Sequence, residues 1–159
     1  MQQALPGRTV AIRVPGDGIL HPVAVAAIAL LILNDHVLKQ AYPGLITGKL
    51  SDFAGLVFFP IFLAGTLEVV ASAVRRHPVI SRPSLALAAS FATAVVFAAI
   101  KLWPAANGAA SSLLGDLQGL TSLTPGHATP LSLDPTDLIA LPCAFVGVFL
   151  AARRTQCED

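Results

Sequence analysis

Residues 34–55 read NDHVLKQAYPGLITGKLSDFAG, a polar run with four charged residues and a histidine, set between two strongly apolar stretches. Before it stands PVAVAAIALLIL from Pro22, and it runs into FAGLVFFPIFLAGTLEVVASAV from Phe53. Both stretches have the composition of membrane spans, so the run sits at a bilayer boundary or dips beneath it. Ionisable groups at that depth are costly and usually have a job. The candidate chemistry of the chain is therefore expected here.

Composition bounds the class in the same direction. The 159 residues are 55% hydrophobic and 12% charged, with mean hydropathy +0.73, whereas soluble domains carry about 25% charged residues. The sequence is that of an all-α integral membrane protein, a single membrane domain over 1–159. Its partner is then the lipid bilayer, with a homo-oligomer or a larger membrane protein as a further partner. A net charge of +1 and basic pairs no larger than Arg75-Arg76 and Arg153-Arg154 give no footprint for nucleic acid. Cys143 and Cys157 form no C-x-x-C motif, so neither a disulfide framework nor a zinc knuckle is expected.

Apolar run length places four spans, at about 19–39, 52–74, 84–103 and 135–152, in a four-helix bundle. Tyr42-Pro43-Gly44 punctuates the first, His77-Pro78 and Arg82-Pro83 the second turn, and Trp103-Pro104 the third. Arg8 and Arg13 before an apolar stretch resemble a secretory signal, but no small-residue cleavage site follows Leu33, so the segment reads as a retained span. All seven arginines fall on one side of this layout and all three lysines, Lys39, Lys49 and Lys101, on the other. The positive-inside rule then puts both termini and the 75–83 turn in the cytoplasm, and loops 40–51 and 104–134 outside, for a multi-pass protein of the plasma (inner) membrane. The alanine-rich, lysine-poor body suits a GC-rich bacterial source.

Length decides how deep the polar residues go. At 1.5 Å per residue the apolar parts of spans one, three and four cover about 22, 24 and 22 Å, against roughly 30 Å of hydrocarbon. Anchored by their arginines, they would leave Asn34, Asp35, Lys101 and Asp137 just beneath the outer boundary, in a shallow polar pocket. The second span, Phe53 to Val74, covers about 33 Å and would form its wall.

Plainer readings compete at each residue. At 3.6 residues per turn, Asn34, Asp35, His36 and Lys39 spread too far around the helix for one inward stripe, so His36 or Asn34 is expected to meet headgroups or water. Asp35 and Lys39 stand i,i+4 and suit a mutual ion pair. Lys101 beside Trp103 reads as a snorkelling lysine with an interfacial aromatic. Ser51-Asp52-Phe53 and Thr136-Asp137-Leu138 look like matching helix starts, with Asp134 as N-cap and Pro135 at N1 of the second. Glu68 pairs with Arg75 or Arg76, or carries a proton within the membrane. Leu113, Leu114, Leu117, Leu120 and Leu123 suit a short interfacial helix in the second outer loop, with Gly115 and Gly119 weakening it.

Three functions fit. In the first, an outward pocket of Asn34, Asp35, Lys39, Lys49, Ser51, Asp52, Lys101 and Asp137 binds or moves a small ligand or ion. In the second, an outer-face enzyme uses His36 as general base, oriented by Asp35 or Asp52, with Lys39 or Lys49 holding a phosphate. No G-x-S-x-G or H-E-x-x-H motif supports it. In the third, an accessory subunit pairs its charges with a larger partner. His36, His127 and the aspartates lack metal-ligand spacing, so no metal site or cofactor is expected.

Overall fold

Prolines and glycines set most of the helix ends. The computed structural model describes residues 14–74, 82–122 and 131–156, and every regular element among them is helical. After a 3-10 turn at Asp17–Leu20, helix α1 covers Pro22–Ala41. Pro22 takes its first position, where a missing N–H costs nothing, and His21 Nδ1 accepts the Val23 N–H at 3.2 Å as the cap. Within α1 the five residues Asn34–Leu38 wind as a π turn, closed by the Lys39 N–H on the Asn34 carbonyl.

Helix α2, Leu45–Val74, is 30 residues long and starts ahead of the Asp52 expected from composition. The Gly44 N–H donates to Thr47 Oγ1 at 3.1 Å, which is the backward half of a capping box and draws Thr47 to Ser51 into the helix. The connection from α1 thus shrinks to Tyr42, Pro43 and Gly44. At 1.5 Å per residue α2 is about 45 Å long, so it outreaches a hydrocarbon slab of about 30 Å.

Helix α3 covers Arg82–Leu102, and α4 covers Pro104–Ser122. Pro104 has no N–H for the Ile100 carbonyl, which breaks the ladder between the two; Asn107 Nδ2 donates to that carbonyl instead, at 3.1 Å. The leucine-rich stretch is therefore a continuous helix up to Ser122 rather than a short one, with Leu113, Leu117 and Leu120 exposed. Leu123 and His127 lie outside the described residues.

The last segment, α5, joins a 3-10 helix, Pro135–Phe145, to an α-helix, Val146–Gln156. Eleven residues of 3-10 helix at 2.0 Å each cover about 22 Å, where an α-helix would cover about 16 Å. The segment is thus longer than α-helical geometry implies, and it brings Asp137, Ala140 and Cys143, three apart, onto one side facing the bundle.

Helix α2 is the hub and packs against α1, α3 and α5. Leu56, Ala140 and Ala144 are buried at the centre, with Phe53, Ala94, Phe97 and Cys143 around them. Close approach relies on small residues: a Cβ on Gly65 would stand 2.6 Å from Ile19 Cγ1. Four helical segments, Pro22–Ala41, Leu45–Val74, Arg82–Leu102 and Pro135–Arg153, are long and apolar enough to cross a membrane, which suggests a multi-pass membrane protein. The described lysines gather at one end of the bundle, and Arg82 and Arg153 lie at the other.

Candidate functional site

Asp137 is the centre of the lysine end. As the third residue of α5 it has a side chain only 5% exposed, turned to the bundle. Lys101, from the last turn of α3, places Nζ 2.6 Å from Asp137 Oδ2 and 3.0 Å from Asp52 Oδ2 on α2. Lys49 of α2 places Nζ 2.6 Å from Asp137 Oδ1 and donates to Thr136 Oγ1 at 2.6 Å, with Asp134 Oδ2 at 3.5 Å. One carboxylate therefore takes a lysine on each oxygen, from two different helices.

Lys101 does not snorkel. Its side chain is 9% exposed, folded inward with Nζ 5.4 Å from the centroid of the Phe97 ring, while Trp103 alone faces outward. An ammonium buried in an apolar bundle is costly unless it is paired, and two carboxylates supply the pairing. The lysine three residues before Asp52 goes to Asp137 rather than to Asp52, and Asp52 stands within α2 instead of at its start. The matching starts at Ser51 and Thr136 thus part company. At the second, Asp134 Oδ1 accepts the Thr136 N–H at 2.9 Å, the N-cap expected beside Pro135. The Thr136 hydroxyl also donates to it, at 2.7 Å, and the hydroxyl and the N–H together hold the Asp134 carboxyl below the usual carboxylate range.

A second group forms where the π turn faces α2. Asn34 is fully buried, and its Nδ2 donates to the Thr47 carbonyl and to Ser51 Oγ, each at 2.7 Å. Ser51 Oγ in turn donates to Asp35 Oδ1 at 2.6 Å, and Lys39 Nζ lies 2.7 Å from the same oxygen. The wider π turn lets two successive side chains, Asn34 and Asp35, reach one serine. Of His36 and Asn34, one of which the helix spacing sends to headgroups or water, His36 is exposed and Asn34 is buried. Asn34 Oδ1 and Ser90 Oγ are buried without a hydrogen-bond partner among the described residues.

Of the eight residues read as a pocket, the structure thus joins Lys49, Asp52, Lys101 and Asp137 in one network and Asn34, Asp35, Lys39 and Ser51 in another, side by side along α2. Thr136 and Asp134 join the network from outside those eight; the sequence marks them only as a helix start. No group of three metal-ligating side chains occurs among the described residues. Glu68, at the opposite end, meets Arg82 and the Gly16 N–H; Arg75 and Arg76, its expected partners, lie outside the described residues.

No protein-family model, curated protein or solved structure matches the chain.

Proposed function

We propose that this is a small polytopic protein of the bacterial inner membrane whose lysine end binds or moves a small ligand or ion. In this reading the arginine end is cytoplasmic, with both termini, and the network faces outward. The observation that carries it is the Lys101–Asp137 pair at 2.6 Å, closed by Asp52 and Lys49, in a bundle of apolar helices. Charges held that deep are retained at a cost, which favours a working site over a structural one.

The ligand is a donor or a cation rather than a phosphate. Each described lysine already has a carboxylate, and four carboxylates, Asp35, Asp52, Asp134 and Asp137, stand against three ammonium groups. The buried Asn34 Oδ1 adds an acceptor without a donor. Neither Lys39 nor Lys49 is left to hold a phosphate for His36, so the enzyme reading has less support. The described lysines find carboxylates within this chain, which gives the accessory reading less support.

Reconstitution of the purified chain in liposomes tests the proposal. Cation flux or binding is expected, lost in Asp137→Asn and Asp52→Asn and kept in His36→Gln. Conversion of outer-leaflet lipid that disappears in His36→Gln would put the enzyme first, and absence of flux, binding and product would put the accessory subunit first.

A further inference from the structure

The end of the bundle opposite the lysines holds a cavity of about 60 Å³. Its wall is apolar, with Pro60 and Ala64 of α2, Ala86 of α3 and Gly147 of α5 among its residues, and its rim carries Asp17, His21, Glu68 and Arg82. Glu68 lies sixteen residues beyond Asp52 on α2, about 24 Å along the helix. The cavity and the lysine network thus stand at opposite ends of one bundle.

Two polar groups lie between them. Ser90 of α3 is fully buried, and its hydroxyl has no partner among the described residues. Helical spacing puts it one turn from Ala86, in the cavity wall, and one turn from Ala94, which packs against the buried Leu56 and Ala140. Ser90 therefore stands at the inner end of the cavity, eleven residues before Lys101 on α3, about 17 Å along the helix. On α2, Pro60 has no N–H for the carbonyl of Leu56, which is left without its helical donor one turn from Asp52. An unpaired buried hydroxyl lowers stability and an alanine fits the same space, which favours a working role for this serine.

We propose that the cavity, Ser90 and the Leu56 carbonyl form a proton path across the bundle that ends at Asp52. The path rests on the reading of the lysine end as a site that moves an ion, and it names that ion. The cavity takes several water molecules, at about 10–15 Å³ each, with the rim and the Ser90 hydroxyl as their polar partners. A hydroxyl both donates and accepts. Ser90 takes a proton from a water on the cavity side and gives its own to a water held by the Leu56 carbonyl, which passes one to the Asp52 carboxylate. Asp52 faces Lys101, whose other carboxylate is Asp137, so the ammonium stays paired while Asp52 is protonated. The side chain of Asp52 is 19% exposed, and from there the proton leaves to outer water. One hydroxyl and one carbonyl are too few oxygens to replace the water shell of a metal cation, so the path selects the proton.

The full chain in liposomes, with a trapped pH-sensitive dye and a potassium potential set by valinomycin, is the test. Proton uptake is expected, unchanged when sodium replaces N-methylglucamine outside. Ser90→Ala should slow it by about tenfold or more, the loss of one hydrogen-bonding relay. Its melting temperature should hold or rise, because the unpaired hydroxyl is gone. Ser90→Thr keeps a hydroxyl and should keep most of the uptake, whereas Ala64→Leu fills the cavity and should slow it. Methylammonium binding by calorimetry reports the lysine end separately, and should be lost in Asp137→Asn and kept in Ser90→Ala. Uptake indifferent to Ser90→Ala, slowed uptake with a lowered melting temperature, an equal loss in Ser90→Thr with its melting unchanged, or a sodium current would each overturn the path. Absence of proton uptake beside methylammonium binding that depends on Asp137 would overturn the path and leave the lysine-end site standing; absence of both would remove the two together.

Discussion

Lys101 and Asp137, thirty-six residues apart in sequence, meet at 2.6 Å inside the bundle and tie the end of α3 to the start of α5. Removing one partner leaves the other buried with a single counter-charge, Lys101 with Asp52 or Asp137 with Lys49. Asp137→Asn and Lys101→Met are each expected to lower stability by more than the ~0–1 kcal/mol of an exposed pair, with the ~3–5 kcal/mol of an uncompensated buried charge as the ceiling. The double variant should not recover that loss, because Asp52 then lacks Lys101 and Lys49 keeps only Asp134, at 3.5 Å, as a counter-charge. Lys39→Ala removes a pair exposed by about two-fifths on each side, and should cost only about 0–1 kcal/mol. Reversible unfolding in mixed micelles measures all four, and equal effects for Lys39→Ala and Asp137→Asn would place the network in water.

Asn107 acts as a substitute backbone donor at the α3–α4 break. Asn107→Ala leaves the Ile100 carbonyl without its donor, at an expected cost of about 1–3 kcal/mol. Pro104→Ala restores an N–H at the position that would serve that carbonyl in a continuous helix. In the Pro104→Ala background the Asn107→Ala loss should shrink by more than half. A double-mutant cycle on melting would reject this role if the two losses simply added.

Much of this architecture is legible in the chain, for reasons that differ by residue. Apolar run length locates four helices, and Tyr42-Pro43-Gly44 and Trp103-Pro104 end two of them because proline and glycine act locally. The Asp35–Lys39 pair and the Asp134 cap are also local, set by spacings of four and two residues. What the sequence does not reveal depends on departures from 3.6-residue winding. Neither the π turn at Asn34–Leu38 nor the 3-10 helix at Pro135–Phe145 has a composition of its own, yet these two turn Asn34 and Asp137 to the interior. The early start of α2 hides in Thr47, whose hydroxyl caps backward. The inward course of Lys101 is decided by Asp52 and Asp137, distant in sequence, and a lysine beside a tryptophan at a span end reads equally well as a snorkelling one.

The proposed outward placement of the network rests on topology, and exposed positions at the two ends can report it. Tyr42 is 73% exposed between α1 and α2, and Val74 is 78% exposed at the far end of α2. In a background with Cys143 and Cys157 replaced, Tyr42→Cys should react with a membrane-impermeant maleimide added to intact cells. Val74→Cys should react only after the membrane is opened. The reverse pattern would place the lysine network on the cytoplasmic side.

Asp134 gives the start of α5 an acid dependence whose sign follows from its cap. Thr136, through its hydroxyl and its backbone N–H, holds this carboxyl below the usual range, so the folded chain releases the proton more readily than the unfolded one. The stabilisation is fully present above the unfolded carboxyl value of about 3.9, and it fades as pH falls through the lower folded value. Asn at this position keeps the capping oxygen but cannot ionise. The melting-temperature gap between the parent chain and Asp134→Asn should therefore be constant from neutral pH to about 5 and close progressively below about 4. A gap that persists unchanged at pH 2.5 would show that the charge of Asp134 contributes nothing to the cap.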